Sequence, residues 1–320
     1  MEVAAPRALT RTRRIGDRVG DGLLYGLTAA AAIFALVVIA AIVWRVVDGA
    51  WPSIRHFGLG FVWSSAWNPV TSHFGALEFI LGTLATSFGA LLFAAPISIA
   101  IGLFLSELAP PAVRGPIGAL IEMLAAVPSV VIGLWGIYVL APFIAQHVEP
   151  WLNDALGWIP IFSGSASPSG LLPAIAVLTI MIIPISSSIC RELFIGVPSE
   201  LEDGALALGA TRWEMVRGVV VPSVKGGVVA AIMLGLGRAF GEAIAVTQVI
   251  GNSDHLHRSI FQPADTLASR IANQYQGAVS NLQIASLIYL ALILLVITFV
   301  TNLGARVIVR RFELQRTGGD

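Results

Sequence analysis

Six apolar runs, each long enough to cross a bilayer as a helix, govern what this chain can fold into. They lie near 22–47, 79–105, 117–143, 171–190, 223–250 and 283–308. About 20 apolar residues suffice for a helical span. In hydrocarbon, backbone donors and acceptors must find partners inside the protein, which a helix provides by itself. The expected fold is therefore an all-α integral membrane protein with six transmembrane helices. Composition agrees: 12% of the residues are charged and the mean hydropathy is +0.84, whereas a soluble domain carries about a quarter charged residues. The first run reads as a retained span and not a cleaved signal peptide. Its core is too long, it lacks a small-residue cleavage site, and Trp44 and Trp51 suit an interfacial anchor.

Arginine placement sets the expected orientation, because cytoplasmic loops carry an excess of basic residues. With the N-terminus inside, fourteen Arg and Lys residues fall in inner segments, including Arg7, Arg11, Arg13, Arg14, Arg191, Arg212, Arg217 and Arg306. Only four, Arg45, Arg55, Arg258 and Arg270, fall in outer ones, and Arg238 lies within a span. Both termini are thus expected in the cytoplasm. The division that follows is a cytoplasmic segment 1–21, a transmembrane domain 22–310 and a cytoplasmic tail 311–320. Within the domain, 48–78 reads as an aromatic outer cap and 191–222 as a cytoplasmic loop. The net charge of zero hides this asymmetry and does not argue against an anionic partner.

Several chemistries are excluded or unsupported. One cysteine, Cys190, allows neither an internal disulfide nor a cysteine metal cluster. The five histidines lie in polar connectors, where the His255-x-His257 pair reads as solvated loop. No Walker-type phosphate loop occurs, and the single lysine, Lys225, is followed by two glycines. No nucleophile–base pair is readable. The chain is expected to hold no catalytic, metal or cofactor site and to bind no nucleic acid.

Two polar stretches stand out against the apolar background. In the first, Pro198 and Ser199 fit a helix entry, and Glu200, Glu202 and Asp203 occupy its first turn, where acidic groups favour the helix dipole. Gly204 and Ala205 continue the helix, Gly209 fits a left-handed stop, and Thr211 to Val221, with Trp213, forms a second amphipathic stretch. Pro222 is placed at the first turn of the next span. In the second stretch, 235–242, Arg238 sits about 20 Å into a span beginning near Lys225, at 1.5 Å per residue. Ionisable groups at that depth are costly and face a cavity or a partner. Arg238 and Glu242 are four apart and, on a continuous helix, share a face. Gly237 and Gly241 form a small-xxx-small surface for close packing of a neighbouring helix. Two readings stay open: an ion pair locking two helices, or a guanidinium lining an oxyanion path with Glu242 holding or gating it. Glu122 reads as a helix-end or interhelical group. Pro96, Pro128 and Pro184 are placed as interruptions of the second, third and fourth spans.

Family resemblance enters with these motifs. The segment 203–222 resembles the EAA loop of ABC-importer permeases, with the Gly209 to Pro222 spacing intact but Asp203 and Gly204 in place of the leading Glu and Ala. The segment 235–246 resembles the GLGRAxGExxAV signature of PstC-type phosphate permeases. Trp67-Asn68-Pro69 with Phe74-Gly75-Ala76-Leu77, and Glu122 with the run 124–136, are similar to the same family. The resemblance implies an ABC type I importer permease fold in a prokaryotic cytoplasmic (inner) membrane. It implies a multi-pass subunit of an ATP-driven phosphate importer, with no nucleotide site of its own. It further implies a homologous second permease, a dimer of ATPase subunits that hold ATP-Mg, an extracytoplasmic phosphate-binding protein, phosphate and membrane lipid as partners. Coupling to the ATPase would rest on Glu202, Asp203, Gly204, Ala205, Gly209 and Trp213, and the substrate path or gate on Arg238 and Glu242. The rival expectations are a permease for sulfate or molybdate, a proton-coupled carrier using Glu242, and a regulatory membrane scaffold.

Overall fold

A computed structural model describes residues 15–317. Arg7, Arg11, Arg13, Arg14 and the ends of both expected cytoplasmic segments lie outside the described residues. The chain divides into two compact units, residues 1–48 and 49–320. Helix α1 (Ile15–Phe57) exposes Leu23, Tyr25, Phe34 and Trp44 in its part before Asp48, as a lipid-facing span should. It continues through ten residues that the sequence assigned to the outer cap.

Among the described residues six helices are long and apolar enough to cross a membrane. Besides the one beginning at Gly20 within α1, they are α2 (Leu77–Leu108), α4 (Ser129–Leu156), α5 (Leu171–Ile195), α7 (Arg212–Gly241) and the segment Asn281–Val307 of helix α10 (Asn281–Thr317). Shorter helices connect them: α3 (Pro111–Ala125), α6 (Ser199–Ala207), α8 (Ile244–Val249) and α9 (Leu267–Gln274). A two-residue hairpin, β1 (Trp67–Asn68) with β2 (His73–Phe74), precedes α2 and pairs Trp67 with Phe74.

Prolines explain where the spans depart from the apolar runs. Four π-helical turns, Phe104–Leu108, Gly136–Leu140, Ile144–Val148 and Val216–Val220, each end two residues before a proline. Proline lacks an N–H and crowds the carbonyl four residues back. In the last three, one wider turn relieves both problems without ending the helix, whereas α2 ends at Leu108 with Ala109 extended before Pro110. The third span therefore reaches Leu156 past Pro142 and Pro150. Likewise α7 starts at Arg212 and runs past Pro222, so this proline does not open the span. Pro96 and Pro184 lie inside continuous helices. Of the three expected interruptions only Pro128 is one. It separates α3 from α4, so the third span begins at Ser129 and not near 117.

α2 and α5 pack through a buried core of Ala90, Ala94, Ala174, Leu178 and Ile182. The hairpin, the end of α1 and the start of α10 share a second core around Phe61, Trp67, Phe74 and Tyr289. Between α8 and α10, residues 251–280 fold back over α2. A Cβ at Gly82 would collide with the Asp265 carbonyl, so glycine is required for that approach.

The charged centre of this return is Arg270, only 2% exposed. Its Nη2 lies 2.7 Å from Asp254 Oδ1 and its Nε 2.8 Å from Asp265 Oδ2, and it donates to the Ser253 carbonyl. The guanidinium also stands 4.5 Å from the Phe79 ring and 5.7 Å from that of Trp67. Asp265 accepts from the Thr266 amide, yet burial outweighs these partners and holds its carboxyl up at about 6. Replacing Arg270 with Met leaves Asp265 buried without a counter-charge, at an expected cost of about 3–5 kcal/mol. Asp254→Asn, at the half-exposed partner, should cost less than about 1 kcal/mol. Thermal unfolding of the two variants in detergent checks the order, and equal losses would refute the assignment of Arg270 as the centre of the network.

Candidate functional site

Two regions of the chain present chemistry to its surroundings, one at each end of α7. At the first, α6 and its exit form a raised polar turn. Ser199 to Ala207 is helical with Glu200 and Glu202 in its first turn. Gly209 has φ +89°, the left-handed stop its position predicts. Thr211 then caps α7: its Oγ1 accepts from the Glu214 amide while Glu214 accepts from the Thr211 amide and hydroxyl. This reciprocal capping box fixes the angle between α6 and α7.

No residue of α6 is buried. Asp203, Gly204 and Gly209 are exposed, Glu202 and Ala205 half-buried, and Trp213 is 69% exposed. Leu201, Leu206 and Leu208 are exposed with it. Beneath them the root of the turn is tightly packed, with Cys190, Phe194 and Val197 from α5 and its exit meeting Met215, Val216 and Val220 from α7. An uncovered apolar and acidic surface on a rigid root is the form of a docking element.

A cavity of about 370 Å3 opens under α6, lined by Glu107, Arg114, Glu202 and Arg212 among others. Burial, the Glu107 carboxylate and then Asp203 raise the Glu202 carboxyl above its ordinary value. A raised acid is penalised in its ionised form by the fold. That penalty is complete above the folded-state value and is relieved as pH falls through it. Glu202→Gln should accordingly stabilise the chain at neutral pH by no more than about 0.5 kcal/mol, given solvent screening. The gap to wild type should shrink on acidification, and a pH-independent gap in unfolding temperature would contradict this origin.

At the other end of α7 the geometry differs from the sequence expectation. The helix stops at Gly241, and Glu242 is extended with φ −73° and ψ 111°. Arg238 and Glu242 therefore do not share a helix face, and no ion pair joins them among the described residues. Instead, Glu242 Oε1 accepts from the Ala245 amide at 3.3 Å and closes the start of α8. Arg238 is exposed on the last turn of α7. A Cβ at Gly237 or Gly241 would meet no neighbour within 4 Å, so no helix packs on them among the described residues; Gly235 does the close packing, against Ile182 and Ser186 of α5. Glu122 is likewise outside a span, exposed on α3.

α8 is held at its other end by a polar network that the sequence reading missed. Thr247 donates to Ser269, Ser269 to Asn252, and Asn252 back to the Thr247 carbonyl. Arg270, one residue on, was counted only as an outer basic residue. The Thr-x-x-Ser start of α9, where Thr266 accepts from the Ser269 amide, was the available local signal; the buried ion pairs had none.

With this geometry in place, comparison with known proteins is decisive. Residues 98–314 match the family described as binding-protein-dependent transport system inner membrane component. The chain belongs to this family. Among curated relatives, the phosphate transport system permease protein PstC of Pasteurella multocida is 44% identical, covering 94% of this chain and 95% of that protein. The PstC of Haemophilus influenzae is 43% identical over 97% and 99%, and PstC 1 of Mycobacterium tuberculosis 36% over 95% and 96%. Solved structures share the fold at lower identity. An inward-facing MetNI methionine ABC transporter gives a TM-score of 0.55 at 20% identity, covering 74% of this chain and 95% of that one. A bacterial alginate ABC transporter gives 0.57 at 17% over 93% and 98%. The chain is thus a multi-pass permease of the inner membrane with the ABC importer fold, and its relatives are permease subunits without catalysis of their own.

Proposed function

We propose that this permease forms the translocation path of an ATP-driven phosphate importer. The observation that carries the proposal is the uncovered end of α7, where Arg238 stands beside two open glycines just before the helix breaks. Relatives covering nearly the whole chain are named phosphate transport permeases, which fixes the substrate class in this reading. A phosphate anion entering low dielectric must exchange its hydration for fixed positive charge. Arg238 supplies a planar, permanently charged donor set matched to phosphate oxygens. Glu242 shapes the path by capping α8 and fixing the break. A homologous second permease would face the open Gly237–Gly241 surface, so that two α7 helices enclose the path.

In this reading both termini and the 191–222 loop are cytoplasmic, as the arginine asymmetry requires. The domain limits 22–310 for the membrane part and 311–320 for the tail follow, and the outward cap meets an extracytoplasmic phosphate-binding protein. ATP-Mg is bound and hydrolysed by a separate ATPase dimer. Glu202, Asp203, Gly204, Ala205, Gly209 and Trp213 seat α6 in that dimer, and its closure displaces the packed root of α5 and α7 together.

Arg238→Gln should abolish phosphate uptake while assembly of the importer stays intact, read by radiolabelled uptake in a deletion strain with membrane levels measured in parallel. Undiminished uptake would remove Arg238 from the path, whereas failure of wild type to restore uptake would redirect the reading to another oxyanion. Asp203→Arg should weaken co-purification of the ATPase at least tenfold, and unchanged recovery would exclude α6 as the docking element.

A further inference from the structure

Residues 230–234 of α7 and the end of α10 line an open groove of about 360 Å3. Its floor is apolar: Ala230, Met233 and Leu234 on α7 and Ala305 on α10. Asn302 and Arg306 are its polar lining residues, both exposed. The Asn302 amide donates to the Thr298 carbonyl of its own helix. Arg306 is exposed, and no acidic side chain pairs with it among the described residues. It lies near the end of the apolar run 283–308 and is followed in the sequence by Arg310 and Arg311, the arginine-rich flank expected where hydrocarbon gives way to headgroups.

We propose that this groove binds one anionic phospholipid, with the phosphodiester on Arg306 and an acyl chain along the floor. The two halves of the groove require opposite chemistry from one ligand. An apolar floor gains from a methylene chain, whereas an unpaired guanidinium at the interface gains from a phosphate that accepts its paired N–H groups. A freely hydrated phosphate ion satisfies only the second demand. A protein partner would have to bring an acid to the rim and fill the floor. Arg306 alone would merely extend to the interface, as arginines at span ends do. The adjoining cleft is what converts that reach into a site.

The test uses the full chain, extracted with the subunits that co-purify with it and titrated with phosphatidylglycerol or phosphatidylcholine under native mass spectrometry. Wild type should retain one phosphatidylglycerol in preference to phosphatidylcholine. Arg306→Gln should weaken it about tenfold, the loss of one charge-assisted pair, with Arg306→Lys intermediate. Ala230→Phe, which fills the floor and keeps the charge, should also expel the lipid. Equal retention by Arg306→Gln, or displacement of the lipid by millimolar inorganic phosphate that Ala230→Phe still binds, would overturn the proposal. So would absence of retained lipid from wild type, which would mean that a second permease covers the groove.

Discussion

The buried guanidinium of Arg270 ties together parts of the permease that are far apart in sequence. A charge so fully removed from water persists only when paired and hydrogen-bonded, and its partners come from four segments. Asp254 and Ser253 belong to the stretch after α8, and Asp265 to the turn before α9. Trp67 belongs to the hairpin and Phe79 to α2. The aromatic faces add attraction without needing a second carboxylate. Satisfying one arginine therefore fixes the hairpin, the return segment and α2 against each other. Gly82 permits the backbone contact that closes this arrangement, and Thr83 accepts from the Leu267 amide at the same junction.

That anchor also bears on the far end of α7. α9 carries Ser269 beside Arg270, and through Asn252 and Thr247 it holds the last turns of α8. α8 starts immediately after the break at Glu242, whose carboxylate closes its first turn. The break is thus bounded by two sets of hydrogen bonds and is not a frayed helix end. Its position depends on the return segment 251–280 as much as on the local sequence. Arg238, one turn earlier, inherits a defined place although it is exposed among the described residues.

Much of this architecture was legible because the signals were local. Apolar runs located six spans, and Pro198-Ser199 and Gly209 marked the two ends of α6. Span limits were less legible because an apolar run does not reveal how a helix accommodates proline. The π turns before Pro142, Pro150 and Pro222 carry the helices onward, while Pro128, without one, stops α3. The Arg238–Glu242 face failed for a related reason: periodicity predicts a shared face only while the helix continues, and it ends at Gly241. The Arg270 network was illegible because its partners are set by how the return segment packs. A count of outer arginines gives it the same weight as the exposed Arg258.

The continuity of α7 gives these observations a mechanical consequence. Thirty residues from Arg212 to Gly241 span about 45 Å at the rise of an α-helix, which is a full membrane crossing. Trp213 stands exposed at one end of this rod and Arg238 at the other. Pro222 would ordinarily make a hinge between them. Here the π turn at Val216–Val220 absorbs it, and Val216 and Val220 are buried against α5 at that level. That burial braces the rod at the level where proline would favour a bend. The far end of the rod meets a break at Glu242, beyond which the Thr247–Ser269–Asn252 bonds hold α8. The backbone is thus held on both sides of residues 241–243, and Arg238 stands one turn before that change of direction.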